Sequence, residues 1–337
     1  MFTKNTIVGG RYRFIEELGR GGFSIVMKAC DIISQEYCAI KIINLQTDVN
    51  VLLMKREVEI LTKMNHPCVV KLYDWFEEDG NAYIVMELVE GCDLLNFINE
   101  SKYGIPENIA KKLFSQMLSG MIYIHSLNIC HRDIKPENFL ITKALDVKII
   151  DFGLSKGSID NVFCTTCGTL VYSSPERILG HQYTSSADVW SLGIILYAMI
   201  NGELPFYSEN NQTLVIKILK EDPKIWPKKN SESFVDLLNK FLKKNFEERI
   251  TLQEAVIHPW INDVYTFVAE QVAEKKIKNR VPQFALKFNK LVLNSHLIRL
   301  SKVNKKIACT QRDIRLLNQT KSIDAGGSLR VRKRELH

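Results

Sequence analysis

The stretch HRDIKPEN, from His131 to Asn138, decides the fold of this 337-residue chain when it is taken with three other short motifs. Downstream lie Asp151-Phe152-Gly153 and Ser174-Pro175-Glu176, and upstream lies Ala39-Ile40-Lys41. Any one of these motifs could occur by chance. All four in this order, with Lys41 in a β-rich segment, point instead to one catalytic site built from carboxylates, lysines and an asparagine.

The first turn of the chain is rich in glycine. It reads GRGGFSIV from Gly19 to Val26 and lies between two β-rich segments. Glycines remove Cβ atoms where a backbone must approach a polyphosphate and point its N–H groups at the oxygens. A plain hairpin turn is the alternative if nothing else fits. A dinucleotide-binding fold is excluded, because a strand rather than a helix follows the glycines.

Together these motifs resemble the signature set of serine/threonine protein kinases over residues 11–261. The calcium/calmodulin-dependent (CAMK) group is the nearest, on HRDIKPENFL, DFGLSK and the closing His258-Pro259-Trp260. The resemblance implies an α+β bilobal fold, with a small β-rich N-lobe and one main helix up to about residue 89. A larger, mainly helical C-lobe would begin at about residue 94. Ser24 replaces the third glycine and Ser174 the alanine of A-P-E, and neither change threatens activity.

The resemblance implies a role for each polar residue of the motifs. Asp133 would accept the proton of the substrate hydroxyl, and Lys135 would neutralise charge on the phosphoryl group. Lys41, held by an ion pair with Glu57 on the following helix, would bind the α- and β-phosphates of ATP. A surface Lys–Glu pair is the alternative interpretation of those two residues.

The implied cofactors are ATP and Mg²⁺, with Mn²⁺ as an alternative metal. Asn138 and Asp151 would hold the metal ions. Val26 and Ala39 would lie above the adenine and Leu140 below it. The full set expected to contact ATP is Leu18, Gly19, Gly21, Ser24, Val26, Ala39, Lys41, Glu57, Met86, Glu87, Val89 and Leu140. The side chains expected to stack as an ordering spine are Leu61, Leu72, His131 and Phe152.

Substrate preference is also implied by the resemblance. Lys135 and Thr169 indicate serine or threonine rather than tyrosine as the acceptor. Asp93 and Glu137 match positions that grip an arginine three residues before the acceptor, through charge-assisted contacts. Ala198 stands where some kinases of this preference carry a second acidic residue. We therefore expect a basophilic kinase that selects R-x-x-S.

Regulation by phosphorylation is expected at the activation loop. Arg132 precedes the catalytic aspartate, and a phosphate on Thr165 would pair with its guanidinium. Thr166 is adjacent and is an alternative acceptor.

A catalytically impaired scaffold of the same fold is the rival interpretation, but none of the motif residues that such a protein would lack is missing.

The chain divides by charge. Residues 262–337 carry 17 Lys/Arg against 6 Asp/Glu, so they hold the whole positive excess of a chain with net charge +7. We expect a short extension at 1–10, a kinase domain at 11–261 and a basic tail at 262–337. From Lys275 to Arg312 there is no acidic residue. That stretch predicts binding to calmodulin or another acidic partner, a membrane surface, or the domain's own acidic cleft.

Other function classes are less well supported. The longest apolar run, from Trp190 to Ile200, is too short to cross a hydrocarbon layer of roughly 30 Å and predicts a buried core helix. Nucleic-acid signatures and calcium-binding loops are missing. The 8 cysteines lie mostly in apolar segments, and Cys164 and Cys167 lack a second pair for zinc. We expect a cytoplasmic, or alternatively nuclear, protein that is monomeric.

Overall fold

The computed structural model describes residues 3–264 apart from 23, 102, 153–169, 226–229 and 263. By its contacts the chain divides into two units, Met1–Lys278 and Asn279–His337, and every described residue belongs to the first. Three predicted residues, Thr165, Thr166 and Thr169, lie outside the described residues, as do Cys164, Cys167 and the basic stretch 275–312.

The N-terminal part of the domain is a six-stranded antiparallel sheet of order β1-β2-β3-β4-β6-β5. Its strands are β1 Ile7–Val8, β2 Tyr12–Arg20, β3 Ser24–Asp31, β4 Tyr37–Asn44, β5 Leu72–Glu78 and β6 Asn81–Glu87. Alternate residues of β2 turn inward, so that Tyr12 and Phe14 are buried while Arg13 is exposed. The short strand β1 was not predicted, and it adds residues of the N-terminal extension to this sheet.

Helix α1, Asp48–Lys63, is the one helix of this lobe among the described residues. Thr47 caps its first turn by accepting a hydrogen bond from the backbone N–H of Asn50. Met54, Val58 and Leu61 bury one face at the helical spacing. Glu57 lies on that buried face, so its carboxylate is carried inward among apolar side chains.

The C-terminal lobe is mainly helical. Its helices are α2 Leu94–Glu100, α3 Glu107–Ser126, α4 Pro175–Ile178, α5 Ser185–Asn201, α6 Asn211–Lys220, α7 Glu232–Phe241 and α8 Leu252–Val256. Every residue of α5 from Ala187 to Asn201 is buried, which confirms that the run from Trp190 to Ile200 is a core helix. Among the described residues, no helix combines the length and apolarity needed to cross a membrane. The α+β bilobal prediction is confirmed.

A small second sheet, of order β7-β8-β9, was not predicted from the sequence. Its strands, β7 Gly91–Asp93, β8 Phe139–Thr142 and β9 Val147–Ile149, have three or four residues each, too few for a clear alternation of apolar side chains. A Cβ at Gly91 would lie 1.9 Å from the carbonyl oxygen of Ile141, so only glycine fits where β7 meets β8. HRDIKPEN leads directly into β8, and Asp151 lies two residues after β9. Because Phe139 at the start of β8 pairs with Ile149 at the end of β9, both segments lie at the same end of this sheet.

The Glu176–Arg249 pair fixes helix α4 to the rest of the lobe. The guanidinium donates to both carboxylate oxygens at 2.7 and 2.9 Å, and the two side chains are only 4% and 0% exposed. Arg249 also donates to the carbonyl oxygens of Ser186 and Lys243. Burial raises the pKa of Glu176, but the hydrogen bonds from Arg249 outweigh it and hold that pKa below its usual range.

We expect Glu176→Gln to lower the free energy of unfolding by about 3–5 kcal/mol, because the buried guanidinium loses its counter-ion. A depressed folded pKa gives stability that is present above the unfolded pKa of glutamate, about 4.3, and is lost as pH falls below it. Denaturant unfolding between pH 3.5 and 7 should therefore show a steeper acid loss in the wild type than in Glu176→Gln.

The matched control is Glu59→Gln on the exposed face of α1, which removes an ion pair with Lys63. The side chains of Glu59 and Lys63 are 63% and 48% exposed. This substitution should cost under about 1 kcal/mol with no change in the acid slope. Equal losses in the two variants would contradict the role given to the buried pair.

Candidate active site

Lys41 joins three separate parts of the chain. It lies in β4, and its ammonium contacts both carboxylate oxygens of Glu57 in α1 at 2.7 and 2.9 Å. It also contacts Oδ1 of Asp151, which lies two residues after the end of β9, at 3.0 Å. The ion pair expected from the sequence is present, and the carboxylate of Asp151 completes a cluster of one cation and two anions.

The electrostatics of this cluster keep the ammonium charged. Burial acts to lower the pKa of Lys41, but the charges of Glu57 and Asp151 outweigh it and raise that pKa above its usual value. The side chain of Glu57 is 3% exposed, whereas that of Asp151 is 44% exposed. Asp151 can therefore hold Lys41 and still offer oxygen to a ligand in the open space beside it.

A second cluster surrounds Asp133. Its carboxylate contacts the ammonium of Lys135 at 2.8 Å and the amide nitrogen of Asn138 at 3.1 Å. The same amide nitrogen donates to the backbone carbonyl of Asp133 at 2.7 Å. Burial lowers the pKa of Lys135, but Asp133 outweighs it, so the pKa is raised and the lysine stays cationic. HRDIKPEN thus folds back on itself around one carboxylate.

The backbone of this loop is held from the helical core. Asp188, fully buried in α5, accepts hydrogen bonds from the backbone N–H groups of His131 and Arg132 at 2.9 and 3.0 Å. Arg132 has φ +70°, in the left-handed region that costs a non-glycine residue free energy. The carboxylate of Asp188 therefore stabilises a strained backbone one residue before Asp133.

Arg177 is a functional candidate that sequence reasoning missed. Its Nη1 donates to the carbonyl oxygen of Arg132 at 3.1 Å. The backbone of Arg132 is therefore held at its N–H by Asp188 and at its carbonyl by Arg177. The guanidinium groups of Arg132 and Arg177 lie 5.3 and 5.6 Å from the ring centroid of Tyr183. The available signal was only the position of Arg177 directly after Ser174-Pro175-Glu176.

The residues expected around a nucleotide lie on the sheets that border these clusters. Gly21 donates its N–H to the carbonyl oxygen of Ser24 at 2.8 Å, which closes the glycine-rich turn, and Gly19 pairs with Val26 across it. The other expected contacts are Leu18 on β2, Ala39 on β4, Met86 and Glu87 at the end of β6, Val89 just after it, and Leu140 on β8. Val26 lies opposite Lys41 in the register of β3 and β4, and Ala39 lies two residues before Lys41, so apolar residues adjoin the first cluster.

The expected spine residues belong to the buried core. The rings of His131 and Phe152 lie 5.1 Å apart between centroids, and Leu61 is equally buried. Leu72 is partly buried and packs against the same apolar cluster. Burial lowers the pKa of His131, so the imidazole is neutral and suited to this apolar stack.

The side chains expected to contact substrate or phosphate differ in their exposure and in the hydrogen bonds that they already make. Glu137 is exposed, whereas the carboxylate of Asp93 caps α2 by accepting from the backbone N–H of Asn96 at 2.7 Å and its side-chain amide at 2.8 Å. Nε of Arg132, expected to receive a phosphate, is buried and has no hydrogen-bond partner among the described residues. An anion would satisfy that nitrogen.

The implied Mg²⁺ fits the donor set. Within the described part of the chain, no group of three or more His, Cys, Asp or Glu side chains could hold a metal by itself. Asn138 uses its amide nitrogen in the contacts above and so can present its oxygen, and Asp151 presents a half-exposed carboxylate. Mg²⁺ binds through one or two such oxygens together with water and substrate phosphates.

Comparison with known proteins agrees with this geometry. The family model described as "Protein kinase domain" matches residues 12–261. The serine/threonine-protein kinase cds1 of Schizosaccharomyces pombe is 38% identical over 276 residues, covering 76% of this chain and 59% of that protein.

Two further relatives have similar coverage of this chain. An SNF-related serine/threonine-protein kinase of Rattus norvegicus is 34% identical over 263 residues, which are 76% of this chain and 35% of that protein. The SNF1-related protein kinase catalytic subunit alpha KIN12 of Arabidopsis thaliana is 38% identical over 256 residues, which are 75% of this chain and 51% of that protein. The chain thus spans about a third to three fifths of the length of these relatives.

We expect Lys41→Met and Asp133→Asn each to lower phosphate transfer to a peptide by at least about a thousandfold. The first would remove the charge expected at the phosphates, and the second would remove the expected proton acceptor. The rate is measured with radiolabelled ATP, and folding is checked by the thermal unfolding midpoint.

Lys28→Met is the control. Lys28 lies on β3 and contacts Glu16 rather than the site, so its loss should leave the rate within about twofold. Retained transfer in either Lys41→Met or Asp133→Asn would contradict the assignment of the two clusters.

Proposed function

This chain belongs to the protein kinase family, and we propose that it transfers the γ-phosphate of ATP to serine or threonine hydroxyls of other proteins. The observation that carries this proposal is a pair of charged clusters, Lys41–Glu57–Asp151 and Asp133–Lys135–Asn138. Their segments are joined where the N–H of Ile150, next to Asp151, donates to the carbonyl oxygen of Asn138 at 2.9 Å. The alternative is a kinase-fold scaffold or an autoinhibited regulator that acts by binding. The intact clusters favour catalysis.

In the proposed reaction, the hydroxyl oxygen of the substrate forms a bond to the γ-phosphorus as the bond from that phosphorus to the bridging oxygen breaks. ADP leaves, and the hydroxyl proton passes to Asp133. Lys135, 2.8 Å from that carboxylate, lies where it can neutralise the phosphoryl oxygens in transit. Asn138 and Asp151 would hold Mg²⁺, which when bound would supply further charge neutralisation. Positioning and charge neutralisation carry most of the catalysis in this reaction class.

We propose in addition that the enzyme is basophilic, with an arginine three residues before the acceptor held chiefly by Glu137. Glu137 follows Pro136 in the short helical turn after Lys135 and is exposed, so it is available to a peptide. Asp93 is committed to its helix cap and is the second partner at most. Ala198 is buried in α5 and adds no acid.

The test is phosphorylation of an oriented peptide library. We expect selection of arginine at the third position before serine or threonine, and about a tenfold loss of that selection in Glu137→Gln, as for a lost charge-assisted contact. Glu59→Gln, which removes an exposed carboxylate from α1, serves as the charge-matched control and should change nothing. A proline-directed or acidic consensus would overturn the basophilic proposal.

Regulation is proposed at two places. A phosphate on Thr165, or on the adjacent Thr166, would satisfy the buried Nε of Arg132. The basic tail would occupy the acidic substrate groove and be withdrawn by an acidic partner such as Ca²⁺-calmodulin, since residues 262–337 carry the positive excess of the chain. Among the described residues, the thiols of Cys30, Cys38, Cys92 and Cys130 form no disulfide, which suits a reducing compartment such as the cytoplasm or nucleus.

Truncation after Asn262 should raise basal peptide phosphorylation by about tenfold or more if the tail inhibits in this way, because an occupied groove must open before substrate binds. The same rate should be reached by the full chain on addition of Ca²⁺-calmodulin. Equal rates for the full and truncated chains, with and without Ca²⁺-calmodulin, would dispose of both tail proposals while leaving the catalytic assignment intact.

A further inference from the structure

An ion pair connects the six-stranded sheet to the small second sheet. Glu87 is the last residue of β6 in the N-lobe, and Lys148 is the middle residue of β9 in the C-lobe. The ammonium of Lys148 lies 2.6 and 2.7 Å from the two carboxylate oxygens of Glu87. Their side chains are 17% and 25% exposed, so water screens this pair less than an open surface pair.

Glu87 is also fixed through its backbone. Its N–H donates to the carbonyl oxygen of Lys71 at 2.9 Å, and its carboxylate accepts from the N–H of Lys71 at 3.3 Å. The N–H of Glu87 already donates to Lys71. Its carbonyl oxygen is therefore the backbone group that we expect to bind the adenine, by accepting from the amino group. The orientation of that carbonyl depends on a residue whose side chain is held at both oxygens by Lys148.

Lys148 also connects to the floor of the expected adenine pocket. It lies opposite Leu140 in the register of β8 and β9, and Leu140 is the residue expected beneath the adenine. The side chain of Lys148 thus connects β9, which pairs with the strand that carries Leu140, to Glu87, whose backbone is expected to hydrogen-bond the adenine. The separation of 61 residues between Glu87 and Lys148 means that only the folded domain brings them together.

We infer that Lys148 is a positioning residue for the nucleotide, which sets the distance between the adenine floor and the Glu87 carbonyl through its ion pair with Glu87. This inference rests on the proposal that ATP binds in this cleft. Among the described residues, the pair contacts none of those assigned to phosphoryl transfer, so its loss should weaken nucleotide binding and leave the chemical step largely unchanged.

The experiment uses the full chain and compares Lys148→Met, Glu87→Gln and the double variant. The readouts are the Kd for Mg·ADP, the KM for ATP, the KM for peptide and kcat. We expect each single change to raise the Kd for Mg·ADP and the KM for ATP roughly five- to tenfold, with kcat and the peptide KM within about twofold. The double variant should be no worse than the singles, because both remove the same interaction.

Two further variants separate positioning from general stability. Lys148→Arg keeps the charge and should restore the Kd to within about twofold of the wild type. Lys111→Met removes a similarly exposed lysine, which contacts Glu107 in α3 away from the cleft, and should leave the Kd unchanged. If Lys148→Met fails to fold, Lys148→Gln and Glu87→Gln provide the same comparison.

The outcomes are distinguishable. A Kd unchanged in Lys148→Met while the unfolding midpoint falls, or single effects that add in the double variant, would overturn the inference and leave the kinase proposal standing. A wild-type chain that binds no Mg·ADP would overturn both. A raised Kd with non-additive singles and rescue by Lys148→Arg would support it.

Discussion

The site depends on the contacts that the ammonium of Lys41 makes. It lies in the N-terminal sheet, yet its partners come from helix α1 and from the segment after the small C-lobe sheet. Lys41 and Glu57 are both largely buried, and a buried charge that loses its partner is strongly destabilising. The position of α1 against the sheet and the position of Asp151 are therefore coupled through one side chain.

The C-lobe provides the rigid part of the arrangement. Helix α5 is buried along nearly its whole length, and Asp188 near its start accepts from the backbone of the loop that carries Asp133. Arg132 and Asp151 both have positive φ, at 70° and 62°. Such backbone persists only where surrounding contacts over-determine it. Here a fully buried carboxylate supplies those contacts for the first of the two.

Two ion pairs of the described residues join the N-lobe to the C-lobe, and they differ in character. Lys41 and Asp151 meet where one partner is half exposed, so this contact can be shared with a ligand. Glu87 and Lys148 are both partly shielded from water, and the carboxylate of Glu87 also accepts from the backbone N–H of Lys71. The first pair suits a site that must bind and release phosphates. The second suits the fixed geometry that an adenine pocket requires.

The sequence by itself determined the family, the order of its motifs and the buried helix at Trp190, because these depend on residue types at short, fixed spacings. It also predicted the pairing of Lys41 with Glu57. The unpredicted small sheet, the commitment of Asp93 to a helix cap and the pairing of Glu87 with Lys148 were decided only by the tertiary structure. Strands of three or four residues carry no periodic signal, and a contact between residues far apart in sequence exists only once packing has brought their strands together.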